Sequence, residues 1–439
     1  MSTELSAPII AQARDLLDFI DASPSPWHAV ASAVERLKVA GFSELHETER
    51  WQLSAGDKRF VIRADSSLIA FIVGAGDIAE AGFRIVGAHT DSPGLRLKPN
   101  APHLTDGLLR LGVEVYGGPI LATFADRDLG LAGRLSLRNG DQIVTRLVRF
   151  DVPLVRLPNL AIHMNRDVNE SGLKLHKQNE LPLLMAMGSD FLNTADAADY
   201  FAGLLADRAG IDQAQLLAWD LLAYDTQAGS FWGPNQEFIA SRQLDNLASC
   251  HAALSSLLKT EAPVSTALIA LFDHEEVGSE SAAGAGGSFM ADVLARVSAS
   301  LGADAEDSRR ASARSFFISA DMAHAWQPNF PAAYEPCHRL LVNAGPAIKS
   351  NANQRYSTSS ETAARFMALC ATAEVPVQQY SHRTDLGCGS TIGPIVAARL
   401  GMPAVDVGCP MWAMHSIRES AGVLDHSYLI AALSAALAS

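Results

Sequence analysis

The run Ala267-Leu268-Ile269-Ala270-Leu271-Phe272-Asp273-His274-Glu275-Glu276-Val277-Gly278 decides how this chain folds. Six apolar residues in succession, with no alternation of polar side chains, describe a strand buried on both faces, as in the parallel sheets of α/β domains. The paired glutamates just beyond it place ionisable groups at the strand's carboxyl end, where open α/β sheets carry their sites. The arrangement recurs. Phe83–Ala88 leads into His89-Thr90-Asp91-Ser92-Pro93, Ser315–Ser319 is followed by Asp321-Met322-Ala323-His324, and Ala404–Val407 precedes Met414-His415-Ser416 by a short loop. Gln243-Leu244-Asp245-Asn246 stands early in Ile239–Leu258, a segment that reads as a helix carrying Leu244, Leu247, His251, Leu254 and Leu258 on one side.

Outward from these motifs the chain divides into three. Residues 1–94 open with helical spacing (Leu16, Leu17 and Ile20, then Trp27, Val30, Val34 and Leu37), broken by Pro24 and Pro26, and continue with the β-rich runs Arg59–Arg63 and Leu68–Val73. Residues 95–232 show no sustained β-α alternation. Leu108–Val115, Gly130–Leu137 and Gln142–Phe150 read as strands, and Asn139-Gly140 signals a tight hairpin. A polar stretch, Asn165–Glu180, and a helical segment from Ala195 to Ala209 complete this block, which reads as an inserted β-rich domain. From residue 233 to residue 439 the alternation returns, with helices over Ser360–Ala373, Thr391–Leu400 and Leu424–Ala438. Residues 1–94 and 233–439 together make one α/β domain interrupted by the insert.

Composition narrows the function classes. A formal charge of −14 argues against nucleic-acid binding, which needs a basic face, and repels anionic substrates unless a local cation overcomes the field. No apolar run reaches the length of a membrane span. Glu4, Arg14, Asp15 and Asp18 interrupt any leader-like N-terminus, so a soluble, cytoplasmic protein is expected. The five cysteines, Cys250, Cys337, Cys370, Cys388 and Cys409, form no CxxC pair and read as buried reduced thiols.

Each motif alone is weak: a histidine after a strand is usually structural, and a Glu-Glu pair is usually a solvated helix start. Five at strand ends in one chain point to two metal ions held side by side, as in a two-metal peptidase. Such a site needs two imidazoles, carboxylates for each ion, one short carboxylate to bridge (which suits Asp245) and a free carboxylate as base. Asp91, two residues past His89, suits the task of accepting the ring N–H of that histidine and fixing its tautomer. Of Glu275 and Glu276, one can bind metal while the other acts as general base, and the residues themselves do not say which.

With these motifs, Lys349-Ser350-Asn351-Ala352-Asn353-Gln354-Arg355-Tyr356 and Asp385-Leu386-Gly387-Cys388-Gly389-Ser390-Thr391-Ile392-Gly393-Pro394, the chain resembles the M18 aspartyl aminopeptidases over essentially its whole length. The resemblance implies a zinc-peptidase-like α/β fold, with a mixed or parallel sheet and helices on both faces, and a β-rich oligomerisation insert. It implies metal ligands at His89, Asp245, Glu276, Asp321 and His415, with Asp245 bridging two Zn2+ per subunit and Glu275 as the base. One metal would hold His89, Asp245 and Asp321, and the other Asp245, Glu276 and His415. Mn2+ or Co2+ could replace zinc in such a donor set. The substrates implied are peptides with a free N-terminus, preferably an N-terminal Asp or Glu, attacked by a metal-bridged water. The assembly implied is a homo-oligomer, a dodecamer in characterised relatives, in which a neighbour's His163 reaches the site. Lys349, a compact cation suited to a carboxylate, and His324 are the expected substrate-binding residues. A Lys349→Leu change is then expected to cost acidic substrates more than neutral ones.

Two other readings compete. One is a different two-metal exopeptidase or a deacylase on the same fold, which the ligand set alone does not separate. The other is a self-assembling non-catalytic scaffold, against which stands the intact set of ligands and base. Gly284-Ala285-Gly286-Gly287 lacks the spacing of a dinucleotide loop and Gly389-Ser390 is not a nucleophile elbow, so both read as tight backbone packing.

Overall fold

The apolar run forms the strand Thr266–Phe272, buried at every residue, in the computed structural model of this chain, which describes residues 5–190 and 196–439. It lies in a nine-stranded sheet whose order is Ser43–Glu44, Lys58–Arg63, Ser67–Ile72, Thr266–Phe272, Phe83–His89, Phe316–Ala320, Ala404–Gly408, Ala347–Ser350, Gln378–Ser381. The four strands from Thr266–Phe272 to Ala404–Gly408 are parallel, and Ser67–Ile72 and Ala347–Ser350 flank them in the antiparallel sense. The sheet is therefore mixed. Its register pairs Phe272 with His89 and Ala320 with Val407, so the residues that follow these strands emerge along one edge.

Adjacent residues of a strand point to opposite faces, and each face of this sheet has its own core. Val86, Ala88, Ile318 and Ala320 pack with the helices Ala7–Ala22, Pro26–Val39, Leu244–Lys259 and Val423–Leu437. Ile85, Leu268, Ala270 and Phe317 pack with Phe289–Ser300 and Ile392–Leu400 on the other side. Two-sided burial is why Ala267–Phe272 reads as an unbroken apolar run. Local signals set the helix starts: Ser25 accepts the N–H of His28, and Pro26 takes the first helical position, where its missing N–H costs nothing.

One segment folds differently from its reading. Ile239–Leu258 splits into a strand, Phe238–Ser241, and a helix, Leu244–Lys259. Gln243, at φ 55°, breaks the chain direction, and Asp245 and Asn246 are themselves non-helical, so Asp245 stands in irregular backbone at the helix entrance. Ile239 pairs with Ala421 in a five-stranded sheet with Ser230–Trp232, Glu419–Gly422, Pro410–Trp412 and Ala323–His324. Pro410–Trp412 also turns the expected short loop before His415 into a strand.

The chain forms two compact units. The first runs to Asp91 and resumes over Gly229–Met414 and Glu419–Ser439; the second comprises Ser92–Ala228 and His415–Arg418. The divisions expected at 95 and 232 differ from these by a few residues, and residues 415–418 were expected with the α/β part. The second unit holds an antiparallel six-stranded sheet in the order Gln142–Arg149, Leu129–Asn139, Leu216–Asp225, Gly94–Thr105, Leu108–Tyr116, Leu183–Met187. Asn139 pairs with Gln142 around the expected hairpin. The helix Ala197–Ala209 packs Phe201 and Leu205 against Leu95, Leu135 and Leu221. Its expected start at Ala195 lies outside the described residues, as does Glu4. Among the described residues no helix is long and apolar enough to cross a membrane. All five cysteines are free, but only Cys250, Cys370 and Cys409 are buried; Cys388 is half-buried and Cys337 exposed.

Candidate metal centre

His89 ends its strand at the sheet edge with 2% of its surface exposed. Its Nε2 lies 3.5 Å from Asp245 Oδ1 and 3.5 Å from Asp321 Oδ1. Two ligands held about 2.0–2.1 Å from one tetrahedral ion stand about 3.4 Å apart, so this spacing is that of a shared ion. Asp321 Oδ1 is buried and accepts no hydrogen bond among the described residues. A buried carboxylate oxygen facing an imidazole nitrogen without a proton donor is a poor arrangement for a bare protein and a good one around a cation. Ligand atoms of His89, Glu275 and Glu276 also gather within 4.8 Å of one another.

The neighbouring elements aim these groups. The main-chain N–H of Asp245 donates to Glu419 Oε2 at 3.0 Å, and Asn246 Nδ2 donates to Ala320 O at 2.9 Å, tying the helix entrance to the strand that delivers Asp321. The Cys250 thiol donates to His89 O at 2.9 Å. Glu275 and Glu276 occupy the short 3-10 turn Glu275–Val277, entered through His274 at φ 64°. Both of their main-chain N–H groups donate to the Asp91 carboxylate. His89 Nδ1 lies 3.1 Å from Asp91 O and 3.4 Å from Asp91 Oδ1, so the main-chain oxygen is the closer partner of the ring.

The electrostatics are those of a carboxylate cluster lacking counter-charge. Burial raises Glu275 to about 7, with Asp321, Asp91 and Asp245 adding to the rise and His89 opposing it. Burial and then Asp245 push Glu276 well above the ordinary range. Burial alone would lower His89, but Asp245, Asp321 and Asp91 outweigh it and hold its pKa well up. These acids are unhappy as anions only while nothing positive sits among them. Their types and spacing fit a divalent cation.

The other expected residues fall as follows. Lys349 is on the strand Ala347–Ser350, not in a solvated loop, and is 2% exposed. Its Nζ donates to Asp321 O at 3.0 Å, Asp321 Oδ2 at 3.2 Å and Met322 O at 3.1 Å. An ammonium has three hydrogens, and all three are engaged. His324 lies nearby on Ala323–His324, where burial, then Lys349 and His382, lower it to about 4. His163 is in the second unit, in the turn Ile162–Met164, beside the exposed Leu160, Ile162 and Met164. His415 is also in the second unit. There its Nδ1 lies 3.1 Å from Gly118 O, and its main-chain oxygen accepts from Ile120 N at 2.9 Å.

Glu419, Cys250 and Gly408 had not been singled out from sequence. A Cβ at Gly408 would stand 1.7 Å from Asp321 O, so only glycine lets this strand lie against the acid. A glycine continuing the apolar run Ala404–Val407 is a recognisable sign of such close approach. Nothing local marks Glu419 or Cys250.

The family model described as aminopeptidase I zinc metalloprotease (M18) matches residues 19–436. A protein of Pseudomonas paraeruginosa named "Probable M18 family aminopeptidase 2" is 48% identical over 431 residues, covering 97% of this chain and 98% of its own. A chain in a cryo-EM structure of the Ape4 and Nbr1 complex superposes with a TM-score of 0.96 at 36% identity, covering 99% of this chain and 87% of that one. The S. cerevisiae mApe1 dodecamer matches with a TM-score of 0.84 at 27% identity, covering 96% of this chain and 95% of that one. By the family model over residues 19–436 and the relative 48% identical over 97% of the chain, the chain belongs to the M18 family of zinc metallo-aminopeptidases.

Proposed function

We propose that this aminopeptidase uses two zinc ions per subunit to release an N-terminal residue, preferably Asp or Glu, from peptides. The observation that carries the reading is the mutual 3.5 Å approach of His89 Nε2 to Asp245 Oδ1 and Asp321 Oδ1, with Asp321 Oδ1 lacking a donor. His89, Asp245 and Asp321 would hold one ion, and Asp245, Glu276 and His415 the other. When bound, zinc supplies Lewis acidity, lowering the pKa of a water and polarising a carbonyl oxygen.

Glu275 is the proposed general base. It stands beside the ligand group, buried enough to favour a proton but close enough to His89 to release it. It takes the proton of the attacking water as the C–O bond forms, and passes it to the leaving nitrogen as the C–N bond breaks. Asp91 fixes Glu275 through the main chain. Lys349 would supply the positive charge that meets an acidic side chain, against the −14 charge of the whole chain, and His324, kept neutral by burial and by Lys349, would add a ring N–H.

Self-assembly belongs to the same reading. One relative of this fold is a dodecamer, and the exposed Leu160, Ile162 and Met164 around His163 supply apolar surface for a neighbour. His163 would then complete the site of another subunit. Metal analysis, light scattering and assays on free and N-acetylated aspartyl peptides test the reading together. The expected result is two zinc ions per chain, a large homo-oligomer and cleavage of the free peptide alone. Equal cleavage of the acetylated peptide would reject an aminopeptidase mechanism with this site.

A further inference from the structure

Two rings not considered so far, those of Tyr380 and His382, meet that of His324 beside Lys349. The centroids of His324 and Tyr380 are 6.0 Å apart, those of His324 and His382 6.2 Å, and those of Tyr380 and His382 6.1 Å. Tyr380 pairs with Lys349 across adjacent strands, so the two side chains share a face of the sheet. Tyr380 and His382 are two residues apart, and Tyr380 Oη lies 2.6 Å from His382 Nδ1. Burial raises the Tyr380 phenol, so it keeps its proton and donates it to Nδ1. The N–H of His382 is then on Nε2.

Any acidic side chain entering here needs donors. Lys349 contributes charge, but its three hydrogens are held by Asp321 and Met322. The ring nitrogens of His324 and the Nε2 of His382 have no hydrogen-bond partner among the described residues. His324 lies 6.2 Å from His382 between ring centroids and feels the charge of Lys349, so all three stand around one space.

We propose that His382, oriented by Tyr380, is a specificity-determining residue that donates its Nε2–H, together with His324, to the side-chain carboxylate of an N-terminal Asp or Glu. The inference rests on the acidic-substrate reading above. His382 adds the geometric donor that Lys349, already saturated, does not supply, and Tyr380 acts as a positioning residue through the tautomer it imposes.

The experiment compares peptides beginning with Asp and with the isosteric Asn on the intact enzyme, for the wild type and for His382→Phe, His382→Gln and Tyr380→Phe. A hydrogen bond to a charged group discriminates by about 10- to 100-fold. His382→Phe is therefore expected to lower the Asp/Asn ratio of kcat/KM by that factor, mainly through KM for Asp. His382→Gln, which keeps an N–H, should retain more of the ratio than His382→Phe, and Tyr380→Phe should fall between wild type and His382→Phe. Cleavage of the Asn peptide shows that each variant has folded; if His382→Phe fails to fold, His382→Gln and Tyr380→Phe carry the comparison. A ratio unchanged within twofold in the folded variants would overturn the assignment of His382 while leaving the acidic-substrate reading intact. A wild-type ratio near one would overturn that reading, and this proposal with it.

Discussion

Asp91 holds Glu276 through the main chain: its Oδ2 accepts the Glu276 N–H at 3.1 Å while Oδ1 accepts that of Glu275 at 3.2 Å. One carboxylate thus fixes the turn that carries both the proposed base and a proposed ligand. The sequence suggested that the side chain served the His89 ring, yet the ring's nearer contact is Asp91 O. Asp91→Asn puts an amide N–H against one of these donors. Loss of an outer hydrogen bond at a metal site costs about 10- to 100-fold in affinity or activity. We expect kcat to fall within that range with the protein still folded, as read by steady-state kinetics beside a thermal melt. Turnover within twofold of wild type would show that the turn holds without this clamp.

Glu275→Gln separates binding from proton transfer. The amide keeps the shape of the side chain but cannot accept the water's proton. A general base contributes about two to four orders of magnitude, so kcat should drop by that much while zinc content stays constant. Parallel loss of zinc would instead make Glu275 a ligand and shift the base to another residue.

Removing metal should change how stability depends on pH. Without cations Glu275 is raised from 4.5 to about 7 chiefly by burial, Glu276 rises in the same direction for the same reason, and the surrounding acids raise His89. Folded-state values above the unfolded ones mean that the native apoprotein binds more protons than the unfolded chain across this window. Stability then falls as pH rises from about 4.5 to about 7. Zinc displaces those protons, so it should raise the Tm more at about pH 7.5 than at about pH 5. Asp425, raised to about 7 by burial, adds the same slope with or without metal, so the difference between the two forms isolates the site. The expectation fails if the zinc-induced shift in Tm is larger at the lower pH.

The parts of the fold that could be read from sequence are those governed by local burial. Thr266–Phe272 and Phe83–His89 sit between neighbours in the sheet with both faces covered, so their residues are apolar but for Thr266, Arg84 and His89, and the acids after them stand out. Phe238–Ser241 escaped because it runs directly into the helical pattern of Leu244, Leu247, His251 and Leu254, while the break at Gln243 has no composition signal. Lys349 was singled out as a substrate-binding cation, but its tie to Asp321 escaped for a different reason. A lysine in a four-residue strand looks like a surface residue, and the Asp321 that neutralises it lies 28 residues away, reached only through the strand order. Glu419, Tyr380 and His382 likewise gain their meaning from tertiary neighbours. Local pattern marks where a site can be; long-range pairing decides which side chains serve it.

Gly408→Ala tests the packing behind Asp321. The added methyl group would start 1.7 Å from Asp321 O, a contact with main chain that no rotamer relieves. Overpacking of this kind costs about 1–3 kcal/mol, and the backbone that moves is the one bearing a proposed ligand. We expect a lower urea midpoint at unchanged m and reduced zinc content at limiting metal. A destabilised protein with full zinc affinity would mean that the strain relaxes away from Asp321.

Lys349→Leu separates the duty that the sequence reading gave this residue from a second that its contacts with Asp321 add. Were the lysine only a receptor for acidic substrates, its loss would spare neutral ones. Its ammonium instead donates to Asp321 O and Oδ2, both in a buried setting. Breaking a buried pair costs about 3–5 kcal/mol when no other charge compensates, and here bound zinc offsets part of that cost by sharing the Asp321 carboxylate. Neutral substrates should therefore lose activity too, with zinc affinity reduced in step, and acidic substrates should lose a further factor from the missing positive charge. Assaying Asp- and Ala-initiated peptides across a zinc titration reads both components. Full activity on the Ala peptide at limiting zinc would show that the contacts to Asp321 are dispensable, and would return Lys349 to the single role of meeting the substrate's acid.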